Sequence, residues 1–162
     1  MTLEEILSFD FCHKEVLIIG RCGSGKTWLS NALGGMYKYH KVIHCDDYLK
    51  VHPHTEGQIE AIIEDAGINK PCIIEGCLGY RLLYDGAMRK CYTPDIVIDV
   101  YISRGQQRKI YLKERSPETI RALEWAHMRN VSILLQYYQI VLDSEKPQWI
   151  KFENTYAAKE TY

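Results

Sequence analysis

Gly20-Arg21-Cys22-Gly23-Ser24-Gly25-Lys26-Thr27 fits the phosphate-binding pattern G-x-x-x-x-G-K-[ST] at every fixed position. The apolar run Val16-Leu17-Ile18-Ile19 stands before it, and Trp28, Leu29, Ala32, Leu33 and Met36 follow at helical spacing. A short buried strand, a glycine loop and a helix are expected in that order. The three glycines let the backbone turn its N–H groups inward over the positive end of a helix dipole, which makes a nest for an anion. Expected nucleotide contacts are Gly20, Cys22, Gly23, Ser24, Gly25, Lys26, Thr27 and Trp28. Lys26 reaches the β- and γ-phosphates of ATP in this reading, and the Thr27 hydroxyl holds Mg²⁺.

Outward from the loop, the chain reads as alternating strands and helices. The first helix is expected to stop at Gly34-Gly35, because paired glycines favour a C-terminal cap. Val42-Ile43-His44-Cys45 is a second strand, and it runs into Asp46-Asp47-Tyr48. Two acids at the carboxyl end of a strand lie where open α/β sheets bind ligands. Side chains alternate along a strand, so one acid is expected to face the phosphate loop and the other to serve Mg²⁺ or the loop. A plain helix start is the competing reading. His52-Pro53-His54 follows as a connection placed to line an acceptor pocket.

Thr55-Glu56-Gly57-Gln58 is expected to cap a helix that buries Ile59, Ile62, Ile63 and Ala66 and ends at Gly67. Pro71-Cys72-Ile73-Ile74-Glu75-Gly76 is a third strand with an acid at its exit, which makes Glu75 a second candidate for the metal or the acceptor. A helix between Gly79 and Cys91 turns Leu82, Leu83, Ala87 and Met88 inward. Ile96–Ile102 is the strongest strand signal, a near-continuous apolar run suited to the interior of a parallel sheet. Arg104, Arg108, Lys109, Lys113 and Arg115 come next, either a solvated basic face or a set of cations that close over a transferring phosphoryl group. Ser116-Pro117 starts a long helix whose stripe is read as Ile120, Leu123, His127, Val131, Leu134, Leu135, Tyr138 and Leu142, with His127 a hydrogen-bonded core residue. Gln148–Phe152 makes a fifth strand before Glu153-Asn154-Thr155.

Composition limits the alternatives. The 162 residues carry 20 Lys plus Arg against 21 Asp plus Glu, so no bulk positive field holds the molecule on nucleic acid or an anionic membrane. The start is polar and acidic, and no segment approaches the length of a membrane span, so a cytoplasmic protein with no membrane partner is expected. The 6 cysteines are scattered without zinc or C-x-x-C spacing and read as reduced thiols. Cys22, near a helix N-terminus, is where a thiol pKa tends to fall. One domain, residues 1–162, suffices for the whole chain.

The phosphate loop, Cys45-Asp46-Asp47-Tyr48, Ile74-Glu75-Gly76, Pro94–Ile98, the arginine-bearing segment and Phe152-Glu153-Asn154-Thr155 occur in the order seen in phosphate-loop kinases of nucleosides, nucleotides and polynucleotides. The chain resembles two branches of these. Asp46-Asp47-Tyr48 is similar to the acidic pair of uridine or nicotinamide riboside kinases and of polynucleotide 5′-hydroxyl kinases, and Ile74-Glu75-Gly76 is nearer the nucleoside kinases. The resemblance implies a three-layer α/β/α P-loop NTPase fold of the nucleoside and nucleotide kinase type, with a five-stranded parallel sheet. It implies Asp46 as the base that takes the acceptor proton, with Lys26, Arg108 and Arg115 stabilising the transferred group. Thr27, Glu75 and Asp47 are the metal candidates, and Asn154 borders the adenine. ATP and Mg²⁺ are the implied cofactors, with a hydroxyl on a nucleoside, a nucleotide or a DNA or RNA acceptor, including a 5′-hydroxyl end or a hydroxymethylated base. Polynucleotide kinases have an arginine soon after the acidic pair, whereas Leu49 and Lys50 stand here. The competing class is a P-loop ATPase switch that acts on a partner without transferring phosphate. A GTPase is disfavoured because Asn69-Lys70-Pro71-Cys72 lacks the aspartate of N-K-x-D.

Overall fold

The computed structural model describes residues 2–155, apart from the side chains of Arg108, Leu112, Glu114 and Ser144. In chain order the elements are α1 (Leu3–Leu7), β1 (Val16–Gly20), α2 (Lys26–Met36), β2 (Lys41–His44), α3 (Cys45–Leu49), α4 (Thr55–Ile68), β3 (Cys72–Glu75), α5 (Gly79–Arg89), β4 (Ile96–Tyr101), α6 (Arg104–Glu114), α7 (Pro117–Ile140) and β5 (Gln148–Glu153). The five strands form one parallel sheet in the order β2-β3-β1-β4-β5. All five strands read from the sequence are present.

Strand alternation separates two cores. Val16 and Ile18 of β1, Ile73 of β3, Ile98 of β4 and Phe152 of β5 pack with Ile6 of α1 and with Leu29 and Leu33 of α2. The intervening residues Leu17, Ile19, Ile74 and Val97 face the other way, onto Ile59 and Ile62 of α4, Leu82 and Leu83 of α5 and Tyr137 of α7. Each fully buried Leu or Ile contributes about 1.5–3 kcal/mol, so a one-residue slip that exchanged the faces would forfeit both cores. The result is the expected three-layer α/β/α arrangement. No helix among the described residues is long and apolar enough to cross a membrane.

Local expectations fail where a side-chain environment outweighs a sequence signal. α2 does not stop at Gly34-Gly35 but continues to Met36. Gly34 is there for close packing, since a Cβ on it would lie 2.4 Å from Val42 Cγ2, while a Cβ on Gly35 would meet nothing within 4 Å. Asp46 and Asp47 lie in the first turn of the short helix α3, not on β2, so the two-sided alternation of a strand does not govern them. The N-cap of α4 is His54 in place of Thr55, and the helix runs one residue past Gly67 to Ile68. Met88 is 55 % exposed, not inward.

The packed face of α7 is built from Leu123, His127, Asn130, Ile133, Leu134 and Tyr137, whereas Val131, Leu135, Tyr138 and Leu142 of the expected stripe are exposed. The polar Asn130 lies on the true inner face, and passing over it shifts an apolar pattern to the neighbouring face. His127 is half-buried, but its Nδ1 has no hydrogen-bond partner among the described residues. Burial and the nearby Arg21 guanidinium hold its imidazole below the ordinary range.

Two stability outcomes follow from this packing. Gly35→Ala should raise stability by about 1 kcal/mol through helix propensity alone. Gly34→Ala should lower it, and the same change in a Val42→Ala background should recover the gain, as read by urea denaturation of the four variants. The second concerns Asp99, half-buried on β4 between α5 and α7, whose carboxyl is pushed up by burial and only partly pulled back by Lys151. A carboxyl raised by folding costs stability at neutral pH and nothing below its unfolded value. Asp99→Asn should therefore raise Tm at pH 7, with the gain gone below about pH 4.

Candidate functional site

The site is assembled at the carboxyl ends of the strands, where β1 passes into the glycine loop and α2. Gly25 is the N-cap of α2 in the left-handed region at φ 91°, and α2 has neither a side-chain cap nor an acid in its first turn. Its leading amides are therefore left for an external anion. A Cβ on Gly25 would fall 2.1 Å from Asn154 Nδ2, so the loop also needs glycine there to accept its neighbour. Ser24 Oγ is buried with no partner among the described residues, a polar atom in the cradle that suits a phosphate oxygen. Trp28 stands exposed at the start of α2. Lys26 Nζ donates to the Arg21 carbonyl at 2.9 Å, which lays the ammonium across the loop.

Sheet order explains the next contact. Because β3 lies between β2 and β1, the residue that ends it sits between the end of β2 and the loop after β1. That residue is Glu75, only 5 % exposed. Its Oε1 accepts from Thr27 Oγ1 at 3.0 Å and is 2.8 Å from His44 Nδ1. A hydroxyl and a carboxylate beside a phosphate cradle are hard oxygen ligands suited to Mg²⁺. Among the described residues no three His, Cys, Asp or Glu side chains form a ready-made metal cluster. The protein donors at this corner are thus Thr27 and Glu75, with His44 orienting the carboxylate, a role the sequence reading did not assign.

The two aspartates after β2 have different surroundings. Cys77, open to solvent on one side, follows Gly76 at the mouth of the site. Desolvation by the protein behind it raises its thiol, Lys26 pulls it down, and Cys22, Asp46 and Glu75 push it up. Gly76 packs on the start of α3, where a Cβ added to it would fall 2.6 Å from Cys45 Cβ, so the end of β3 and the residue before Asp46 are neighbours at this mouth. Asp47 instead lines a cavity of about 290 Å³ at the outer edge of β2, with His44, Tyr48, His52 and Asp65. There Tyr48 donates its hydroxyl to Asp65, whose carboxyl is held low by Lys41 and Tyr48. The structure brings Thr27 and Glu75 together and sets Asp47 outside that pair.

The loop is held from above by α6. Arg21 Nη1 donates to Gln107 Oε1 at 2.7 Å and pairs with Glu124 of α7 at 3.2 Å. Gln107 Nε2 donates to the Tyr111 hydroxyl at 3.1 Å, and that hydroxyl donates to the Cys22 carbonyl at 3.1 Å. The Arg115 guanidinium lies 5.9 Å from the centre of the Tyr111 ring, one residue removed from the loop. The side chain of Arg108 lies outside the described residues. Gln107 and Tyr111, one helical turn apart, belong to no motif that marks them in the sequence. From below, Asn154 after β5 is 2 % exposed and donates to the Ser24 carbonyl at 2.9 Å. Its amide is committed to the loop backbone.

Beside the mouth lies a second cavity of about 580 Å³ between the starts of α4 and α5 and the middle of α7. His54, Cys77, Arg81, Arg129, Asn130 and Ile133 are in its wall. His54 belongs to the connection expected to line an acceptor pocket, whereas Arg81 and Arg129 were not singled out as a pair.

No protein-family model and no curated protein matches the chain. Among solved structures it is similar to a shikimate kinase from Bacteroides thetaiotaomicron, whose crystal structure is at 1.7 Å resolution. The two are 12 % identical, the match covers 91 % of this chain and 93 % of that one, and the TM-score is 0.53. A likeness at that identity is a likeness of architecture, and with the loop geometry above it shows that the chain has the α/β P-loop NTPase fold found in kinases.

Proposed function

We propose that the protein is an ATP- and Mg²⁺-dependent phosphotransferase that moves the γ-phosphoryl group to a hydroxyl of a nucleoside-, nucleotide- or nucleic-acid-type acceptor. One observation carries the reading: Thr27 at the start of α2 meets Glu75 at the end of β3, and Cys77, two residues beyond Glu75, stands in the wall of a cavity large enough for a nucleotide. A hydrolytic switch needs the cradle but no such second chamber.

In the reaction, the acceptor oxygen attacks the γ-phosphorus, the bond to the β–γ bridging oxygen breaks, and ADP leaves with that electron pair. Asp46 orients the hydroxyl and takes its proton. The loop amides and Lys26 hold the β- and γ-phosphates in line, and Arg115, over the Tyr111 ring, adds positive charge to the transferring phosphoryl group. Mg²⁺ at Thr27 and Glu75 would neutralise phosphate charge during transfer. Gln107, Tyr111 and Asn154 keep the loop amides aimed, so little reorganisation is left for the transition state.

Labelled ATP with nucleosides, nucleotides, 5′-hydroxyl oligonucleotides and hydroxymethylated-base DNA tests the reading directly. Acceptor-dependent ADP release supports it, and hydrolysis that responds only to a protein partner overturns it in favour of a switch. Asp46→Asn should lower kcat by about 10²–10⁴ while ATP binding, read by fluorescent-nucleotide titration, is kept. Glu75→Gln should raise the Mg²⁺ concentration for half-maximal rate by about tenfold or more.

A further inference from the structure

The second cavity has a directional chemistry. Its inner end is Cys77, two residues beyond the Glu75 that meets Thr27, and Gly76 between them packs against Cys45, the residue before Asp46. Its outer wall is basic. Arg81, in the first turn of α5, is fixed by its Nε, which donates to Asp85 Oδ2 at 2.8 Å. Asp85 is itself buried, so the guanidinium is braced on one edge and its two Nη groups form the other. Opposite stands α7, which turns Ala126, Arg129, Asn130 and Ile133 to the cavity at the three- and four-residue spacing of one helix face. Arg129 is exposed, and no carboxylate among the described residues pairs with it. Among the described residues Glu56 supplies the one carboxylate in the wall, against two guanidiniums.

Two cations that line one cavity from separate helices, with the Asn130 amide in the same wall, suit a group that offers oxygens on several sides. A planar carboxylate is satisfied by a single arginine in bidentate contact, whereas a tetrahedral phosphate has acceptors left for the second. From this geometry we infer that the acceptor carries a phosphate, monoester or diester, held between Arg81 and Arg129 while its hydroxyl points to Asp46. A free nucleoside is then a poor substrate, and the pair supplies the phosphate contact from α5 and α7.

This inference rests on the phosphotransferase reading, but binding tests it apart from turnover. With ADP present to fill the loop, thymidine, thymidine 3′-phosphate and the dinucleotide TpT are titrated by calorimetry, and ADP release from ATP is followed in parallel with each. The phosphate-bearing probes should bind about tenfold or more tightly than thymidine, the range for hydrogen bonds to charged groups. TpT above thymidine 3′-phosphate marks a diester site, and the reverse a monoester site. Arg129→Gln should erase most of that difference with ADP affinity unchanged. Because Arg81→Gln alone strands a buried carboxylate, it is made as Arg81→Gln/Asp85→Asn, and Tm confirms folding. Equal binding of thymidine and its phosphates, no binding by any of them, or a preference that survives both variants overturns the inference. Failure of ADP release with the binding preference intact would overturn the phosphotransferase reading instead.

Discussion

The arrangement depends on the hydrogen bond between Thr27 and Glu75. It joins the first turn of α2 to the end of β3, two places 48 residues apart. It exists only because β3, third in the chain, lies next to β1 in the sheet. A chain that laid its strands down in sequence order would put the end of β2 there instead, with His44 in place of a carboxylate. As built, His44 comes from the far side of β3 and meets the same carboxylate oxygen. Sheet order thus turns three distant residues into one polar corner beside the anion cradle. Buried carboxylates are costly without partners, and Glu75 has both a hydroxyl and an imidazole at hand.

The phosphate loop is held from several sides by groups that are not charged ligands. Tyr111 fixes the carbonyl of Cys22, Asn154 fixes that of Ser24, and Arg21 ties the loop to Gln107 and Glu124. Each takes up a carbonyl, or ties down a side chain, on the outside of the loop. That leaves the N–H groups to face inward. An anion nest works by having its donors already aligned, so these contacts prepare the loop without themselves touching an anion.

Most of the fold was legible because the sheet is parallel and buried on both faces. Runs such as Val16–Ile19 and Ile96–Val100 are apolar for a reason that needs no knowledge of their neighbours. The loop was legible because its glycines and Lys26 are dictated locally. What the sequence did not disclose depends on distant partners. Gly34 looks like a terminator until Val42 is seen against it. Asn130 looks like a break in an apolar stripe until it is found on a cavity wall. Gln107 and Tyr111 carry no motif, and only their one-turn spacing facing a loop from β1 gives them a role. Asp46 and Asp47 were read from strand alternation, and the short helix α3 replaced that rule with a rotation of about 100° per residue.

α7 connects the two halves of the site. Glu124 pairs with Arg21 of the phosphate loop, and Arg129 stands in the wall of the second cavity, about 7.5 Å further along the same helix. A helix moves as a rigid body over so short a length. In the proposed reaction, an anion on Arg129 bears on the same rigid element that steadies Arg21. The pair Arg21–Glu124 is part-exposed and contributes little to stability alone. Its significance is positional: one helix carries both the partner of the phosphate loop and a wall of the second cavity, so in the proposed reaction the cradle and the acceptor chamber are held in one frame.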